Sequence, residues 1–186
     1  SATLASQRRT QSLRVLISSG PTREAIDAVR FLSNHSTGYM GSQLAHEALR
    51  RGHRVTVVSG PATEPLPEAA KVIAVVSAAQ MAQRLREASG RADVIIMAAA
   101  VSDFRAATLP VTPKLPRRAR LVLTLEATPD IIARLPRRRR QVVAGLSLEP
   151  GDPLVRARQK LIAKRLDLLL TQRLNGKGRE AGQGSP

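Results

Sequence analysis

The fold class is decided by two short aliphatic runs, LRVLISSG at residues 13–20 and RVTVVSG at residues 54–60. Each run is followed by proline and predicts a strand, at 13–18 and at 54–59. Between them, residues 39–51 place apolar or small side chains at helical spacing, and Gly52 ends that pattern. Strands that alternate with helices are typical of a parallel sheet with crossover helices. We therefore predict one α/β domain of Rossmann-like type, with its ligands at the carboxyl ends of the strands.

The same alternation continues along most of the chain. Further strands are predicted at 71–76, 93–97, 121–125, 141–146 and 167–170, and further helices at 78–88 and 153–165. The sequence Thr128-Pro129-Asp130 is typical of a helix start with Thr128 as N-cap, and the proline-containing stretch 101–118 predicts a long loop. We expect a single domain over residues 13–174, a flexible segment at 1–12 and a disordered polar tail at 175–186.

Composition excludes several classes of protein. The 186 residues contain no cysteine, which excludes a disulfide scaffold and a zinc site with thiolate ligands. No apolar run approaches the roughly 20 residues of a membrane span, and residues 1–12 lack the apolar core of a signal peptide. We expect a soluble, cytoplasmic protein. The formal charge of +16 is concentrated after residue 113, where anions are expected to gather, although a general arginine bias explains the surplus equally well.

The glycine fingerprint of a dinucleotide-binding fold is absent after the first strand. The turn there reads Ser19-Gly20-Pro21, and Pro21 lacks the N–H that a pyrophosphate would use. A second candidate is the segment Ser36-Thr37-Gly38, because hydroxyls and free N–H groups before a helix can bind phosphate or carboxylate. The alternative is that Ser36 or Thr37 only caps the helix. After the strand at 93–97, Ala98–Ala100 are small enough for a ligand or another backbone segment to approach closely.

Four ordered segments carry a family resemblance. They are residues 20–24 (GPTRE), 27–38 (DAVRFLSNHSTG), 98–105 (AAAVSDFR) and 128–131 (TPDI). Over about residues 13–174 the chain resembles the bacterial form of phosphopantothenoylcysteine synthetase. That resemblance implies a Rossmann-like homodimer of coenzyme A biosynthesis, which joins 4′-phosphopantothenate to L-cysteine through an acyl cytidylate made from CTP. It also implies Mg²⁺ as cofactor and a separate phosphopantothenoylcysteine decarboxylase as partner, with no membrane and no specific nucleic acid.

The resemblance also implies roles for individual residues. Asn34 matches the active-site asparagine that acts on the acyl-nucleotide intermediate. Lys114 matches the catalytic lysine, whose ammonium group stays beside the carboxylate and the α-phosphate as charge moves between them. Substrate binding is implied, besides Asn34, for Ser36, Thr37, Gly38 and Ala100. Nucleotide binding is implied, besides Lys114, for Met97, Ala98, Ala99, Asp103, Pro129, Asp130, Ile131, Ile132, Leu146, Lys160 and Lys164. The metal ligands stay unknown, and the sequence does not distinguish CTP from ATP.

Several positions depart from the family pattern. Tyr39 replaces a basic residue, Leu146 replaces an aromatic one, and the loop reads Lys114-Leu115-Pro116-Arg117 in place of Lys-Ile-Lys-Lys. The closing elements of the family have no counterpart after Leu174, so we expect impaired activity. Two alternatives stay open: a degenerate homologue that binds nucleotide or phosphopantothenate without turnover, and a basic nucleic-acid-binding module. Three aromatic residues are few for base stacking, and a short-chain oxidoreductase would need a Tyr-x-x-x-Lys pair that Tyr39 and Gln43 do not supply.

Overall fold

A computed structural model describes residues 11–107, 114–117, 120–149 and 153–173. Its strands are β1 (Arg14–Ser19), β2 (Arg23–Ala25), β3 (Phe31–Ser33), β4 (Arg54–Ser59), β5 (Lys71–Ala74), β6 (Val94–Met97), β7 (Phe104–Ala106), β8 (Leu125–Ala127), β9 (Val142–Glu149) and β10 (Leu168–Arg173). Its helices are α1 (Tyr39–Arg50), α2 (Ala78–Ser89) and α3 (Pro153–Ala163).

A parallel sheet forms the centre of the domain. Among the described residues it has six strands in the order β10-β9-β6-β1-β4-β5, and Ile17 of β1 lies between Val57 of β4 and Ile96 of β6. Counted along the chain, these strands follow the order 3-2-1-4-5-6 of dinucleotide-binding folds. The order reverses between β1 and β6, and in such sheets ligands bind at the carboxyl ends of the strands at this reversal. The predicted Rossmann-like fold is confirmed.

The core lies on both faces of the sheet. Leu16, Ile95 and Val143 point to the face that α2 and α3 cover, where they pack with Met81 and Leu85 of α2. Alternate residues point to the other face, where Val15, Ile17 and Val57 pack against Ala45 and Ala48 of α1. Since successive strand residues face opposite sides, the near-continuous aliphatic runs of β1 and β4 follow from burial on both faces.

The helix starts are set by local sequence. Ser77 caps α2 by accepting the N–H of Gln80, and the Gln80 side chain accepts the N–H of Ser77, which completes a capping box. Helix α1 instead begins after Gly38, which has a left-handed φ of 86° and, as a glycine, has no side chain to cap the helix. The left-handed conformation of Gly38 therefore lets the chain turn into α1 at the carboxyl end of β1.

Two antiparallel pairs extend from the same edge. Strands β2 and β3 pair with Glu24 opposite Leu32, and β7 and β8 pair with Arg105 opposite Glu126. The predicted loop at 101–118 is therefore interrupted by β7. β2 follows the carboxyl end of β1 along the chain, and β7 follows the carboxyl end of β6. Both pairs therefore begin at the edge of the sheet where the parallel strands end.

Two predicted elements are wrong. The strand expected at 121–125 is absent at 121–124, and β8 forms at Leu125–Ala127 because its partner β7 fixes the register there. The helix expected from Thr128 is only a turn at 131–134. Pro136 explains this difference, because it lacks an N–H and disfavours helical backbone at Leu135.

The other predicted strands and helices are confirmed to within a few residues. The polar tail expected at 175–186 and most of the segment expected to be flexible at 1–12 lie outside the described residues. In the parts of the chain described above, no helix has the length and apolar character to cross a membrane.

Candidate functional site

The ends of β1 and β6 stay joined beyond the sheet. The N–H of Ala98 donates to the Ser18 carbonyl at 3.2 Å, and the N–H of Ala99 donates to the Ser18 hydroxyl at 3.2 Å. The next residue continues this pairing, because the N–H of Ala100 donates to the Gly20 carbonyl at 3.0 Å. The small residues after β6 thus admit a second backbone segment on one side, which was one of the two expectations for them. Ala98, Ala99 and Ala100 are themselves only half-buried, so their other side faces the edge of the sheet.

A buried threonine organises the loops around this edge. Thr22 is fully buried, and its Oγ1 accepts the N–H of Ser102 at 2.9 Å. Thr128 continues the chain of contacts, because its hydroxyl donates to the Ser102 carbonyl at 2.6 Å and its N–H donates to the Asp103 carbonyl. Sequence reasoning missed Thr22 and Ser102 as positioning residues. The only signal was their place within the GPTRE and AAAVSDFR segments.

Asn34 is held against the end of β6. Its Nδ2 donates to the carbonyls of Ala100 at 3.2 Å and Val101 at 3.0 Å, although the residue is exposed. The bonds fix the plane of the carboxamide and therefore the direction of its oxygen. Two residues predicted to bind substrate, Asn34 and Ala100, are thus in direct contact.

The loop before α1 satisfies part of its own hydrogen bonding. The Ser36 hydroxyl accepts the N–H of Gly38 at 3.4 Å, and the Thr37 hydroxyl accepts the N–H of Tyr39 at 3.2 Å. Neither residue is the N-cap, which is Gly38. An anion bound here would have to displace these hydroxyls or accept bonds from them. The substrate-binding role of Ser36, Thr37 and Gly38 stays a prediction.

Lys114 lies on a groove next to the β2–β3 pair. The groove has a volume of about 320 Å³ and is lined by Val29, Arg30, Lys114, Leu115, Pro116, Arg117 and Leu121. Arg30 contacts the Lys114 loop directly, since its Nη2 donates to the Leu115 carbonyl at 3.1 Å. β3 runs from Arg30 towards Asn34, a span of about 13 Å by the rise of an extended strand. β3 therefore connects the groove that Lys114 lines to the position of Asn34, and the catalytic roles of both residues stay predictions.

The two predicted nucleotide-binding lysines lie at the end of α3 and directly after it. Lys160 donates to the Ser147 hydroxyl at the end of β9 at 2.9 Å, and Lys164 forms an ion pair with Asp130 at 3.1 Å. Burial opposes ionisation of Asp130, but the N–H of Ala133 and the Lys164 ammonium outweigh it and lower its pKa. Lys160 thus reaches the carboxyl end of β9, whereas Lys164 reaches the loop that follows Thr128.

The remaining predicted nucleotide-binding residues take different positions around that edge. Met97 and Ile131 belong to the core beneath it, Ile132 is half-buried, and the carboxylates of Asp103 and Asp130 are exposed. Pro129, Asp130 and Ile131 line a second cavity of about 210 Å³ between the 131–134 turn and α2, together with Arg86 and Arg134. Leu146 follows Gly145, the partner of Met97, and faces the side of the sheet opposite Ser147. The structure therefore separates Leu146 from the Lys160 contact.

The site offers few ligands for a metal ion. Within the described residues, no group of three or more histidine, aspartate or glutamate side chains is arranged to hold one. Mg²⁺ commonly needs only one or two carboxylates when phosphate oxygens complete its coordination. Asp103, exposed at the edge, fits that arrangement, whereas Asp130 is already paired with Lys164.

Comparison with known proteins places the chain in a family. Residues 10–184 match the family described as the DNA/pantothenate metabolism flavoprotein C-terminal domain. Identity is 39% over 173 residues to the coenzyme A biosynthesis bifunctional protein CoaBC of Vibrio vulnificus, covering 90% of this chain and 43% of that protein. It is 39% over 163 residues to CoaBC of Escherichia coli (strain K12), covering 84% of this chain and 40% of that protein.

A solved structure agrees with these sequences. The crystal structure of the C-terminal domain of CoaBC superposes with a TM-score of 0.77 at 33% identity, covering 88% of this chain and 79% of that one. The chain spans less than half the length of the curated relatives that it matches. The resemblance drawn from the four motifs is confirmed, and the chain belongs to the DNA/pantothenate metabolism flavoprotein C-terminal domain family.

Proposed function

We propose that this chain is the ligase that joins 4′-phosphopantothenate to L-cysteine in coenzyme A biosynthesis, with CTP as the activating nucleotide. The observation that supports the proposal most directly is the contact of Asn34 with Ala100 and Val101. It joins two of the four family motifs at the point of the sheet where ligands bind in this fold. A third motif is attached to the same place through Thr128 and Ser102.

The reaction needs two anions to meet. A substrate carboxylate oxygen attacks the α-phosphorus, the bond to pyrophosphate breaks, and an acyl cytidylate forms. The cysteine amine then attacks the acyl carbon, the bond to the cytidylate oxygen breaks, CMP leaves, and the ammonium proton is lost to solvent. Because carboxylate and triphosphate repel one another, the site must supply positive charge where they meet. Lys114 on one side and Lys160 on the other supply this charge, whereas Arg30 and Lys164 are each paired with a carboxylate, Asp27 and Asp130.

Each residue has a separate task in this scheme. Lys114 stabilises the charge that moves from the carboxylate to the α-phosphate, and Lys160 and Lys164 bind the nucleotide phosphates. The Asn34 oxygen accepts from an amide or amine N–H of the substrate while its Nδ2 stays bonded to Ala100 and Val101. Mg²⁺ carried by the nucleotide, with Asp103 as an exposed carboxylate beside it, would offset charge on the departing pyrophosphate.

We also propose that the enzyme acts as a homodimer and that a phosphopantothenoylcysteine decarboxylase is its partner. Support for an assembly comes from the face of β9 and β10 turned away from α3. Val142, Leu148, Leu168 and Leu170 on this face are between 44% and 55% exposed. A monomer rarely leaves such a contiguous apolar patch in water. Light scattering of the purified chain tests the dimer, since a monomer at micromolar concentration would contradict it.

The test of the activity follows pyrophosphate release from CTP with Mg²⁺ and phosphopantothenate, with and without cysteine. Release without cysteine is the expected result, because the acyl cytidylate forms before the amine is needed. ATP in place of CTP tests the choice of nucleotide. CTP binding without pyrophosphate release would instead support a degenerate homologue that only binds.

Two substitutions separate the proposed steps. Lys114→Gln should slow pyrophosphate release, because the carboxylate and α-phosphate then meet without the ammonium. Asn34→Asp should allow pyrophosphate release but impair capture of the intermediate by cysteine, since a carboxylate cannot keep both amide bonds of Asn34. Turnover like that of the parent in both variants would overturn these roles.

A further inference from the structure

Asp27 is a buried carboxylate that the proposed chemistry does not use. It lies in the turn between β2 and β3, and none of its side chain is exposed. Its Oδ1 accepts the N–H groups of Val29 at 2.9 Å and Arg30 at 2.8 Å. Its Oδ2 accepts Nε and Nη2 of Arg30 at 2.9 and 2.5 Å. These bonds complete a local turn and, by themselves, indicate only a structural role.

Two further bonds connect this turn to a segment 88 residues away. The N–H of Leu115 donates to Asp27 Oδ2 at 3.1 Å, and the Leu115 carbonyl accepts Nη2 of Arg30 at 3.1 Å. Both polar groups of the Leu115 main chain are therefore fixed by one ion pair. The turn would be complete without these bonds, so they restrain the loop and not the turn.

The fixed residue is next to Lys114. The two hydrogen bonds that hold the Leu115 main chain, called the clamp below, limit where the Lys114 Cα can lie. The Arg30 side chain that forms one of them also lines the groove beside Lys114. Hydrogen bonds from the Arg30 side chain hold the pKa of the Asp27 carboxyl well below its usual range, although burial alone would raise that pKa. The acceptor is therefore an anion throughout the physiological pH range. Bonds to an ionised acceptor are stronger than those between neutral groups.

We propose that Asp27 is a positioning residue that clamps the Leu115 main chain, directly and through Arg30, and thereby holds Lys114 at the reacting groups. The inference rests on the proposed function for the role of Lys114. The clamp itself rests on the four atoms of Asp27, Arg30 and Leu115 described above. Asp27 touches no reacting atom in this scheme and acts through the loop.

The test compares Asp27→Asn with the matched control Asp93→Asn. Asp93 also accepts Nε and Nη2 of an arginine, Arg14, and a backbone N–H, but it lies at the opposite end of β1. Hydrogen exchange at the Leu115 amide should rise at least tenfold in Asp27→Asn and stay unchanged in Asp93→Asn. Pyrophosphate release should fall at least tenfold in Asp27→Asn only, with KM for CTP within twofold of the parent.

A double variant separates positioning from general damage. If Asp27 acts through Lys114, adding Asp27→Asn to Lys114→Gln should slow pyrophosphate release no further, because residues that act as one unit are non-additive. Additive losses would overturn the proposal, as would faster exchange at Leu115 without any loss of rate. If Asp27→Asn does not fold, Arg30→Lys gives the same readouts, since lysine keeps the charge but cannot bond Asp27 and Leu115 with one planar group.

The clamp and the proposed function fail separately. A parent chain that releases no pyrophosphate contradicts the proposed function, while exchange at Leu115 still decides whether the clamp exists. Unchanged exchange in Asp27→Asn would overturn the clamp whatever the activity of the parent.

Discussion

Gly41→Ala tests how closely α1 must approach the end of β1. A Cβ at Gly41 would lie 2.2 Å from the Ser19 hydroxyl, 2.5 Å from Ser19 Cβ and 3.1 Å from Ser19 Cα. A different Ser19 rotamer removes the first contact but not the other two. Carbon atoms pack at about 3.5–4.0 Å, so the helix and the strand must separate by about 1 Å.

The cost follows from two opposing effects. Overpacking of this kind costs about 1–3 kcal/mol, and contacts with Cα and Cβ favour the upper end of that range. Alanine recovers about 1 kcal/mol relative to glycine inside a helix. We therefore expect Gly41→Ala to lower the free energy of unfolding by about 2 kcal/mol, or Tm by about 4–8 °C in a domain of this size. The shift also disturbs the bond from the Ser19 hydroxyl to the Gly38 carbonyl at the start of α1.

Gly90→Ala is the matched control. Gly90 has a helical φ of −60°, and a Cβ there would meet nothing within 4 Å. The same substitution should raise the free energy of unfolding by about 0.4–1 kcal/mol, because it restricts the unfolded chain. Urea denaturation of both variants measures the difference. Equal stability of Gly41→Ala and the parent would refute the close packing of α1 on Ser19.

Three further predictions concern single contacts. Thr22→Val leaves the buried N–H of Ser102 without its acceptor and should cost about 1–3 kcal/mol in urea denaturation, although the two side chains have nearly the same shape. Lys164→Gln should weaken CTP binding about tenfold in calorimetry, the change expected for one charge-assisted contact. The control Arg156→Gln, at an exposed position of α3, should leave CTP binding unchanged. Asp93→Asn should lower the free energy of unfolding at pH 7. This loss of stability relative to the parent should shrink as the pH falls below about 4.

The sign of the pH effect follows from the Asp93 contacts. Hydrogen bonds from Arg14 lower the pKa of the folded Asp93 carboxyl, so the stabilisation is present above the unfolded pKa and is lost on acidification. A pH-independent difference between Asp93→Asn and the parent would contradict this assignment. Unchanged stability in Thr22→Val, or equal CTP binding by the Lys164 and Arg156 variants, would contradict the other two predictions.

The parallel sheet was predictable because burial on both faces leaves a strong signal in the sequence. Aliphatic runs such as those of β1 and β4 can hardly be surface strands, and glycine and proline mark their ends. The short pairs β2–β3 and β7–β8 carry no such signal. Their residues alternate weakly and are mostly exposed, so only hydrogen bonding to partners distant in sequence defines them.

The motifs indicate the residues of the candidate site, but they do not indicate the contacts among those residues. The family pattern points to Asn34, yet only the structure shows that its carboxamide is held by Ala100 and Val101. The TPDI segment has the composition of a helix start, and Pro136 decides against the helix in the folded chain. Asp27 lies inside a quoted motif but was assigned no role, because its contact with Leu115 joins segments 88 residues apart.

The loops at the ligand edge are held by small polar side chains and not by core packing. Ser33 and Asn34 bond the main chain of neighbouring segments, and Thr22, Ser102 and Thr128 form a connected series. Each such bond contributes about 1 kcal/mol, whereas the sheet rests on aliphatic burial over two faces. Loss of one bond should therefore release a loop while the sheet stays folded. Substitutions in this set should therefore impair ligand binding well before they unfold the domain.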